Sequence, residues 1–225
     1  MQTNLNQFTI PNAAIDIGYF STKVASNGNN KINALAFPSQ CARVQEEQII
    51  SVGMTALSGV NVDVDGSSYF VGPDSGLQTK GRESRTISEN FVETPEYMAL
   101  YKGALHYILR DYAQQIKGHE KVSIRRVVAG LPLNTFSEKK ESVRALLEGT
   151  HQIPAPDGKT MEVIVKSVTV IPQPQGAMIN AGTSLPKNEM KDFYSQNLLI
   201  IDLGGGTCDW LLSNDRKIIS SRSGA

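Results

Sequence analysis

The sequence predicts a mixed α/β fold, and three features of the 225-residue chain support this prediction. An apolar run before Asp16 and another before Asp202 are each followed by a glycine turn and a second extended run, as in a β-hairpin. Between these hairpins, residues 95–117 carry apolar side chains at helical spacing. Strands that alternate with helices are typical of α/β domains.

The first hairpin joins the apolar residues 13–15 to residues 23–25 through a turn that reads DIGYFSTK over residues 16–23. Glycine lets the backbone bend sharply and approach a ligand closely. Successive N–H groups in such a turn form a concavity that suits anions. The turn is therefore a candidate phosphate-binding loop, although a single turn of this kind is also common in purely structural hairpins.

The second hairpin is more specific, because its turn reads DLGGGTCD over residues 202–209. Two such turns in one chain indicate a phosphate that is held from both sides. The carboxylates of Asp16 and Asp202 end the two strands, where a divalent cation would neutralise the same phosphates. For Asp209 two interpretations stay open: contact with metal or water, or a cap of the hairpin.

Shorter strands and one polar segment are predicted between the first hairpin and the first helix. Residues 31–37 favour a third strand, and residues 61–64 and 68–71 favour two short strands around an Asp-Gly turn. The polar residues 78–88 are interpreted as a solvated loop, and its cations are Lys80, Arg82 and Arg85.

The clearest helix is predicted from Pro95 to about Lys117, with Thr94 as its N-cap and Gly118 at its end. Its apolar stripe predicts core packing and consists of Tyr97, Tyr101, Ala104, Leu105, Ile108 and Tyr112. Because a glycine inside a helix is unfavourable, Gly103 indicates close contact with a sheet.

Three further elements are predicted in the second half of the chain. A capping-box pattern at residues 135–138 predicts a second helix that ends at Gly149, with Val143, Leu146 and Leu147 on its apolar face. Residues 168–177 predict a strand that turns into a short helix, and residues 217–221 predict a last strand.

Composition excludes several classes of function. Lys+Arg and Asp+Glu both total 22, so no global charge favours nucleic acid or an anionic membrane. No apolar run approaches the roughly 20 residues that span a bilayer, and the polar N-terminus lacks the pattern of a secretory signal. The two cysteines are distant in sequence and give no disulfide framework. The three histidines lack the spacing of metal ligands, which argues against a zinc site. No P-loop is present, which argues against a Walker-type ATPase. We expect a cytoplasmic protein.

The two glycine turns resemble the two phosphate loops of the actin-like ATPase superfamily, which includes actin, heat-shock chaperone ATPases and sugar kinases. The segments between them narrow the resemblance. A strand runs into Leu-Pro-Leu at residues 131–133, a strand-Pro-polar pattern follows at 168–177, and LLIIDLGG follows at 198–205. This order is similar to ParM/StbA-type plasmid segregation proteins, and the resemblance covers about residues 13–222.

The resemblance implies a ribonuclease H-like actin-type ATPase fold, whose first domain has a mixed sheet flanked by helices and an inserted small subdomain. It places an N-terminal extension at 1–12, domain I at 13–195 with the subdomain at about 40–93, and an incomplete domain II at 196–225. Such an inserted subdomain makes filament contacts, so a polymer interface is the alternative interpretation of the basic segment at 78–88.

The chain ends at Ala225 without the glycine-rich adenine-binding motif of ParM-like proteins. We therefore expect either an N-terminal fragment of a longer ATPase or a natural short form. In both cases we expect weak binding of ATP, no polymerisation in response to it, and a C-terminal hairpin that is prone to association.

The resemblance also implies roles for individual residues. Asp16 and Asp202 would orient a hydrated Mg²⁺, Lys23 would place a charge near the β-phosphate, and Gln173 would orient the attacking water. The catalytic residues would thus be Gln173, Asp202 and Asp16. The backbone groups that hold the phosphates would be those of Gly18, Tyr19, Phe20, Ser21, Gly204, Gly205, Gly206 and Thr207.

Three details of this assignment stay open. Gln175 competes with Gln173 for the role of orienting water, and the preference for ATP over GTP is not determined. Tyr19 and Phe20 replace the small polar residues that are usual in the first loop, so Ser21 or Thr22 would have to supply its hydroxyl.

The function implied for the complete protein is slow, Mg²⁺-dependent ATP hydrolysis coupled to filament formation, which serves plasmid segregation. The partners would be further copies of the chain and a DNA-binding adaptor protein, with no direct contact to nucleic acid or membrane. The alternatives are a non-filamentous small-molecule kinase of the same fold and a catalytically silent interaction module.

Overall fold

The structure is a computed structural model that describes residues 7–28, 31–44, 55–79 and 88–224. Its strands are β1 (Gln7–Ile17), β2 (Ser21–Gly28), β3 (Lys31–Pro38), β4 (Cys41–Arg43), β5 (Val60–Val64), β6 (Ser67–Val71), β7 (Lys121–Leu131), β8 (Gly149–Pro154), β9 (Thr160–Val165), β10 (Val168–Pro172), β11 (Leu198–Leu203), β12 (Cys208–Asn214) and β13 (Lys217–Ile218). Its α-helices are α1 (Ser75–Gln78), α2 (Pro95–Asp111), α3 (Leu133–Leu147), α4 (Gln173–Thr183) and α5 (Lys187–Ser195).

A mixed sheet forms the centre of the molecule, in the order β3-β2-β1-β7-β9-β8. Strand β7 is long enough to pair with β9 through its first half and with β10 through its second half. Strands β1, β9 and β10 run parallel to β7, whereas the hairpins β1–β2 and β8–β9 are antiparallel. This mixed sheet with flanking helices confirms the fold class expected from the sequence.

Helix α2 lies between this sheet and a small sheet of order β4-β6-β5. The predicted stripe is buried as expected, and Tyr101 donates its hydroxyl hydrogen to the carbonyl of Leu147 at 2.9 Å. The Thr94 side chain accepts a hydrogen bond from the N–H of Tyr97, which confirms the predicted N-cap. The close helix–sheet contact expected at Gly103 is also confirmed.

The predicted end of α2 is wrong, because the helix stops at Asp111 and turns follow as far as Gly118. Tyr112 donates its hydroxyl hydrogen to the carbonyl of Asn27 at 2.6 Å, and its ring packs against Phe8. These contacts with β1 and β2 hold Tyr112 outside helical geometry. Tertiary packing has therefore overridden helix propensity.

Helix α3 begins at Leu133, so the capping box predicted at residues 135–138 is wrong. Thr135 lies inside the first turn, where its hydroxyl donates to the carbonyl of Pro132. The helix ends at Leu147 with Glu148 as its C-cap, and Gly149 opens β8. Leu147 is buried as predicted, whereas Leu146 is 40% exposed.

The second hairpin forms a sheet of its own, in the order β11-β12-β13, and α4 packs against it. The predicted last strand at 217–221 is wrong beyond Ile218, because residues 220–222 form a 3₁₀ turn. This turn lies against Trp210, whose indole N–H donates to the carbonyl of Arg222. Leu199, Ile201 and Leu203 remain exposed on one face of β11.

The sequence predicts an N-terminal extension at residues 1–12, but residues 7–12 are the first half of β1 and pair with β7 in the central sheet. Residues 1–6 lie outside the described ranges, as does the basic segment with Lys80, Arg82 and Arg85. The boundary between domains I and II also stays a prediction. No helix in the described part of the chain is long and apolar enough to cross a membrane.

We predict that Gly103→Ala destabilises the protein, because a Cβ at this position would lie 2.5 Å from Cγ1 of Val71. Such overpacking costs about 1–3 kcal/mol in the free energy of unfolding, which urea denaturation measures. The matched control is Gly176→Ala in α4, where a Cβ would meet no atom within 4 Å. The control should stabilise the protein by up to about 1 kcal/mol. Equal effects of the two substitutions would contradict the packing argument.

Candidate functional site

The turns of the hairpins β1–β2 and β11–β12 face each other across a cleft. The start of α3 and the first residue of α4 complete its walls. Residues of both predicted loops line this cleft, namely Asp16, Gly18, Tyr19, Phe20, Ser21 and Lys23 from the first and Asp202, Gly204, Gly205 and Thr207 from the second. The fold thus brings together two segments that are almost 200 positions apart, whereas Gly206 is not among the lining residues.

Asp16 is held by hydrogen bonds to both of its carboxylate oxygens. Lys23, its partner in the register of the β1–β2 pair, contacts Oδ2 at 3.1 Å, and Gln173 donates from Nε2 to Oδ1 at 2.8 Å. Lys23 is 61% exposed, so the ion pair contributes little to stability. The contacts instead orient the site, because they hold the Lys23 ammonium and the Gln173 amide against the Asp16 carboxylate.

Gly130 is a site residue that the sequence analysis missed. A Cβ at this position of β7 would lie 2.7 Å from Oδ1 of Asp16 and 3.0 Å from Cγ of Gln173. Only glycine leaves room for the hydrogen bond between those two side chains. The available signal was a glycine within an apolar strand, which often marks a close approach of another group.

The two turns are closed by the same hydrogen bond. The N–H of Gly18 donates to the carbonyl of Ser21 at 3.1 Å, and the N–H of Gly204 donates to the carbonyl of Thr207 at 2.9 Å. In each hairpin the glycine that makes this hydrogen bond lies two residues after the aspartate. This correspondence places Asp16 and Asp202 in equivalent positions of the two hairpins.

Phe20 bridges the gap between the turns. A Cβ on Gly205 would lie 2.2 Å from the Phe20 ring, so the ring packs directly on the glycine backbone. The space left in the cleft is about 70 Å³. Ligand pockets typically occupy about 300–1,000 Å³. A neighbouring cavity of about 880 Å³ shares Asp16, Lys23, Gln173 and Asp202 with the cleft. The Phe20 ring therefore restricts only the space between the two turns.

The hydroxyl groups of Tyr19, Ser21 and Thr22 in the first turn lie in different environments. Thr22 is fully buried and hydrogen-bonded to the hydroxyl of Ser39 at 2.9 Å, so Ser21 is the hydroxyl that lines the cleft. Tyr19 donates to the carbonyl of Ser88 at 3.0 Å and packs against Phe91. Burial raises the pKa of the Tyr19 hydroxyl above its ordinary value, and Tyr19 therefore stays neutral at physiological pH.

Asp209 caps a helix from a distant part of the chain. Its Oδ1 accepts the N–H of Leu133 in the first turn of α3 at 3.2 Å, and its Oδ2 accepts the hydroxyl hydrogen of Thr207 at 3.2 Å. Asp209 is only 1% exposed, and burial raises its pKa above the ordinary value against the effect of these two donors. The carboxylate thus joins the second turn to α3, and it is not among the residues that line the cleft.

The donors in the cleft suit a magnesium–nucleotide complex. Within the described ranges no three His, Cys, Asp or Glu side chains form a metal-binding group. Mg²⁺ usually needs only one or two carboxylates, because waters and substrate phosphates supply its other ligands. Asp16 and Asp202 fit this requirement. Gln173 lines the cleft, and Gln175 does not.

Comparison with known proteins agrees with this geometry. A family model described as the N-terminal domain of actin-like proteins matches residues 14–176. The chain belongs to the actin-like protein family. A search of curated proteins found no match.

Solved structures of actin-like proteins share the fold. The apo psk41 ParM protein is 19% identical with a TM-score of 0.71, and the match covers 97% of this chain and 65% of that chain. An AlfA filament bound to AMPPNP is 21% identical with a TM-score of 0.65, covering 96% and 69%. The apo ParM of Bacillus thuringiensis is 17% identical with a TM-score of 0.63, covering 94% and 58%.

The ParM-type similarity expected from the sequence is therefore confirmed at the level of fold. The chain spans about two thirds of the length of the psk41 ParM chain.

We predict that Asp209→Ala lowers the free energy of unfolding by about 0.5–2 kcal/mol, the cost of a lost N-cap. Asp209→Asn should cost less, because its amide oxygen can still accept the N–H of Leu133. Urea denaturation of both variants measures the difference. Equal stability of the alanine variant and the unsubstituted protein would contradict the capping role.

The raised pKa of Asp209 adds a pH dependence to this comparison. The folded state binds the Asp209 proton more tightly than the unfolded state does, so protonation of Asp209 stabilises the fold. This stabilisation is lost as pH rises from the ordinary pKa of the carboxyl group through its raised pKa in the folded state. Relative to Asp209→Asn, the unsubstituted protein should therefore lose stability over that range. A relative gain with rising pH would contradict the prediction.

Proposed function

We propose that this chain forms the phosphate- and metal-binding part of an actin-like ATPase that hydrolyses ATP slowly with Mg²⁺. The observation that carries the proposal is the pair of glycine turns that face each other, each preceded by an aspartate. The fold shared with an AlfA filament bound to AMPPNP supports it.

In this proposal the two turns hold the nucleotide through their backbone. The N–H groups of Gly18 and Gly204 close the two turns, and N–H groups at residues 19–21 and 205–207 bind the β- and γ-phosphates. Lys23 adds a positive charge. Asp16 and Asp202 would hold a hydrated Mg²⁺ ion, and that ion would neutralise the phosphate charge. Phosphoryl transfer depends mainly on such positioning and charge neutralisation.

Gln173 orients the attacking water. Its amide nitrogen donates to Asp16, which leaves the amide oxygen free to accept a hydrogen from water. A neutral amide is a poor general base, so hydrolysis is slow. The hydrogen bond to Asp16 links the group that orients water to the group that orients the metal.

The assembly that we propose is a nucleotide-dependent filament for plasmid segregation in the cytoplasm. Copies of the complete protein are its protomers, and a DNA-binding adaptor protein connects it to the plasmid. The ParM and AlfA neighbours support self-association. The assignment of domain I to 13–195 and of the start of domain II to 196–225 belongs to this proposal.

Loss of either aspartate should abolish activity. Asp16→Ala and Asp202→Ala should each lower kcat/KM for ATP by at least about a hundredfold, because each removes preorganised charge at the phosphates. Mg²⁺-dependent phosphate release measures the effect, and light scattering with ATP tests filament formation. The matched control is Asp63→Ala on the exposed strand β5. Normal turnover by either folded cleft variant would refute the clamp.

A catalytically silent interaction module is the second candidate, and the position of Phe20 favours it. The ring packs on Gly205 and leaves little space for phosphates between the two turns. If that ring limits binding, then removing it should increase the affinity for nucleotide.

We expect Phe20→Ala to bind Mg-ATP several-fold more tightly than the unsubstituted chain, as calorimetric titration would measure. Phe136→Ala on α3, which removes a ring outside the cleft, is the matched control. Absence of nucleotide binding by both the unsubstituted chain and Phe20→Ala would favour the silent module.

A further inference from the structure

A cavity lined by three cations lies away from the cleft, between α4, α5 and the turn that joins β12 to β13. Its volume is about 420 Å³, and none of its lining residues belongs to the cleft. The lining residues are Met178, Lys187, Met190, Lys191, Tyr194, Ser213 and Arg216.

The side chains that line this cavity carry positive charge that no acidic lining residue neutralises. Lys187, Lys191 and Arg216 line it, and no acidic side chain does. None of the three forms an ion pair within the described ranges. The acids of α5, Glu189 and Asp192, lie on the opposite face of the helix, because each residue advances by about 100°. A chain of zero net charge thus concentrates three cations at one place.

Ser213 is the second indication of a ligand. It is 2% exposed, and its Oγ is a buried polar atom without a hydrogen-bond partner in the described structure. A buried hydroxyl without a partner is costly, and Ser213 is a lining residue of the cavity, so a rotation of its side chain would let a ligand satisfy the hydroxyl. The hydroxyl can donate to an oxyanion that the cations attract.

The backbone of Arg216 supports the same conclusion. Asp215 and Arg216 both have positive φ, at 44° and 64°, in a two-residue turn where glycine is favoured at the second position. The N–H of Arg216 donates to the carbonyl of Tyr194 at 2.9 Å, which anchors the turn to the end of α5. An arginine in place of the easier glycine keeps a guanidinium at the cavity.

We propose that this cavity binds a phosphate monoester. The guanidinium of Arg216 suits paired hydrogen bonds to phosphate oxygens, the two lysines add charge, and Ser213 donates its hydroxyl hydrogen. The cavity is larger than a phosphate group alone, and Met178, Met190 and Tyr194 form an apolar wall for the carbon-containing part of the ligand. The site is independent of the nucleotide cleft.

The test is a titration followed by NMR at the amides of Ser213 and Arg216, which separates this cavity from the cleft. The probes are phenyl phosphate, inorganic phosphate and a phosphoserine peptide at constant ionic strength. We expect saturable shifts with phenyl phosphate and weaker binding of inorganic phosphate. Tighter binding of the peptide than of phenyl phosphate would identify a phosphorylated chain as the source, and the reverse would identify a small phosphorylated molecule.

Arg216→Gly is the decisive variant, because glycine suits the positive φ and the variant should fold at least as well. It should weaken phenyl phosphate binding by at least about tenfold, as expected for a lost charge-assisted hydrogen bond. Ser213→Ala should also weaken it. The control Lys159→Gln, in the exposed turn between β8 and β9, should change nothing. No saturable shift at these amides, or equal weakening by the control, would overturn the proposal.

Discussion

The hydrogen-bonded carboxylate of Asp16 is the interaction on which the rest of the cleft depends. Lys23 reaches it from β2 and Gln173 reaches it from α4, so one side chain fixes the relative positions of three elements. The contact is possible only because Gly130 leaves β7 without a side chain at that point. The central sheet therefore determines the geometry of the site, because it pairs β1 with β7 and β7 with β10.

Besides the packing of α4 on its sheet, two contacts at the cleft join the second hairpin to this arrangement. Asp209 caps α3, and the Phe20 ring packs on Gly205. The contact between Asp209 and α3 is polar and buried, whereas the Phe20 ring occupies space between the turns that a phosphate would need. Because the two contacts are separate, a movement of Phe20 alone would widen the space between the turns and leave the helix cap intact. The hairpin can remain attached through Asp209 while the space between the turns changes.

The parts of the structure that local sequence determines could be predicted. Both glycine turns follow from their residue patterns, whereas Gln173 was assigned, with Gln175 as its competitor, from the resemblance to ParM-type proteins. The errors have long-range causes. Helix α2 ends early because Tyr112 contacts Asn27, and α3 begins early because a carboxylate 76 positions away caps it. The role of Gly130 and the unpartnered Ser213 also became visible only when distant strands were placed side by side.

The central claim is that both turns contact the phosphates of a single nucleotide. Replacing Mg²⁺ by paramagnetic Mn²⁺ in complex with ATP tests it directly, because the ion broadens the NMR signals of nearby amides. The account predicts that the signals of Gly18 and Gly205 broaden together at the same Mn-ATP concentration, while that of Gly158 in the turn between β8 and β9 does not. Broadening at only one of the two turns would contradict the account.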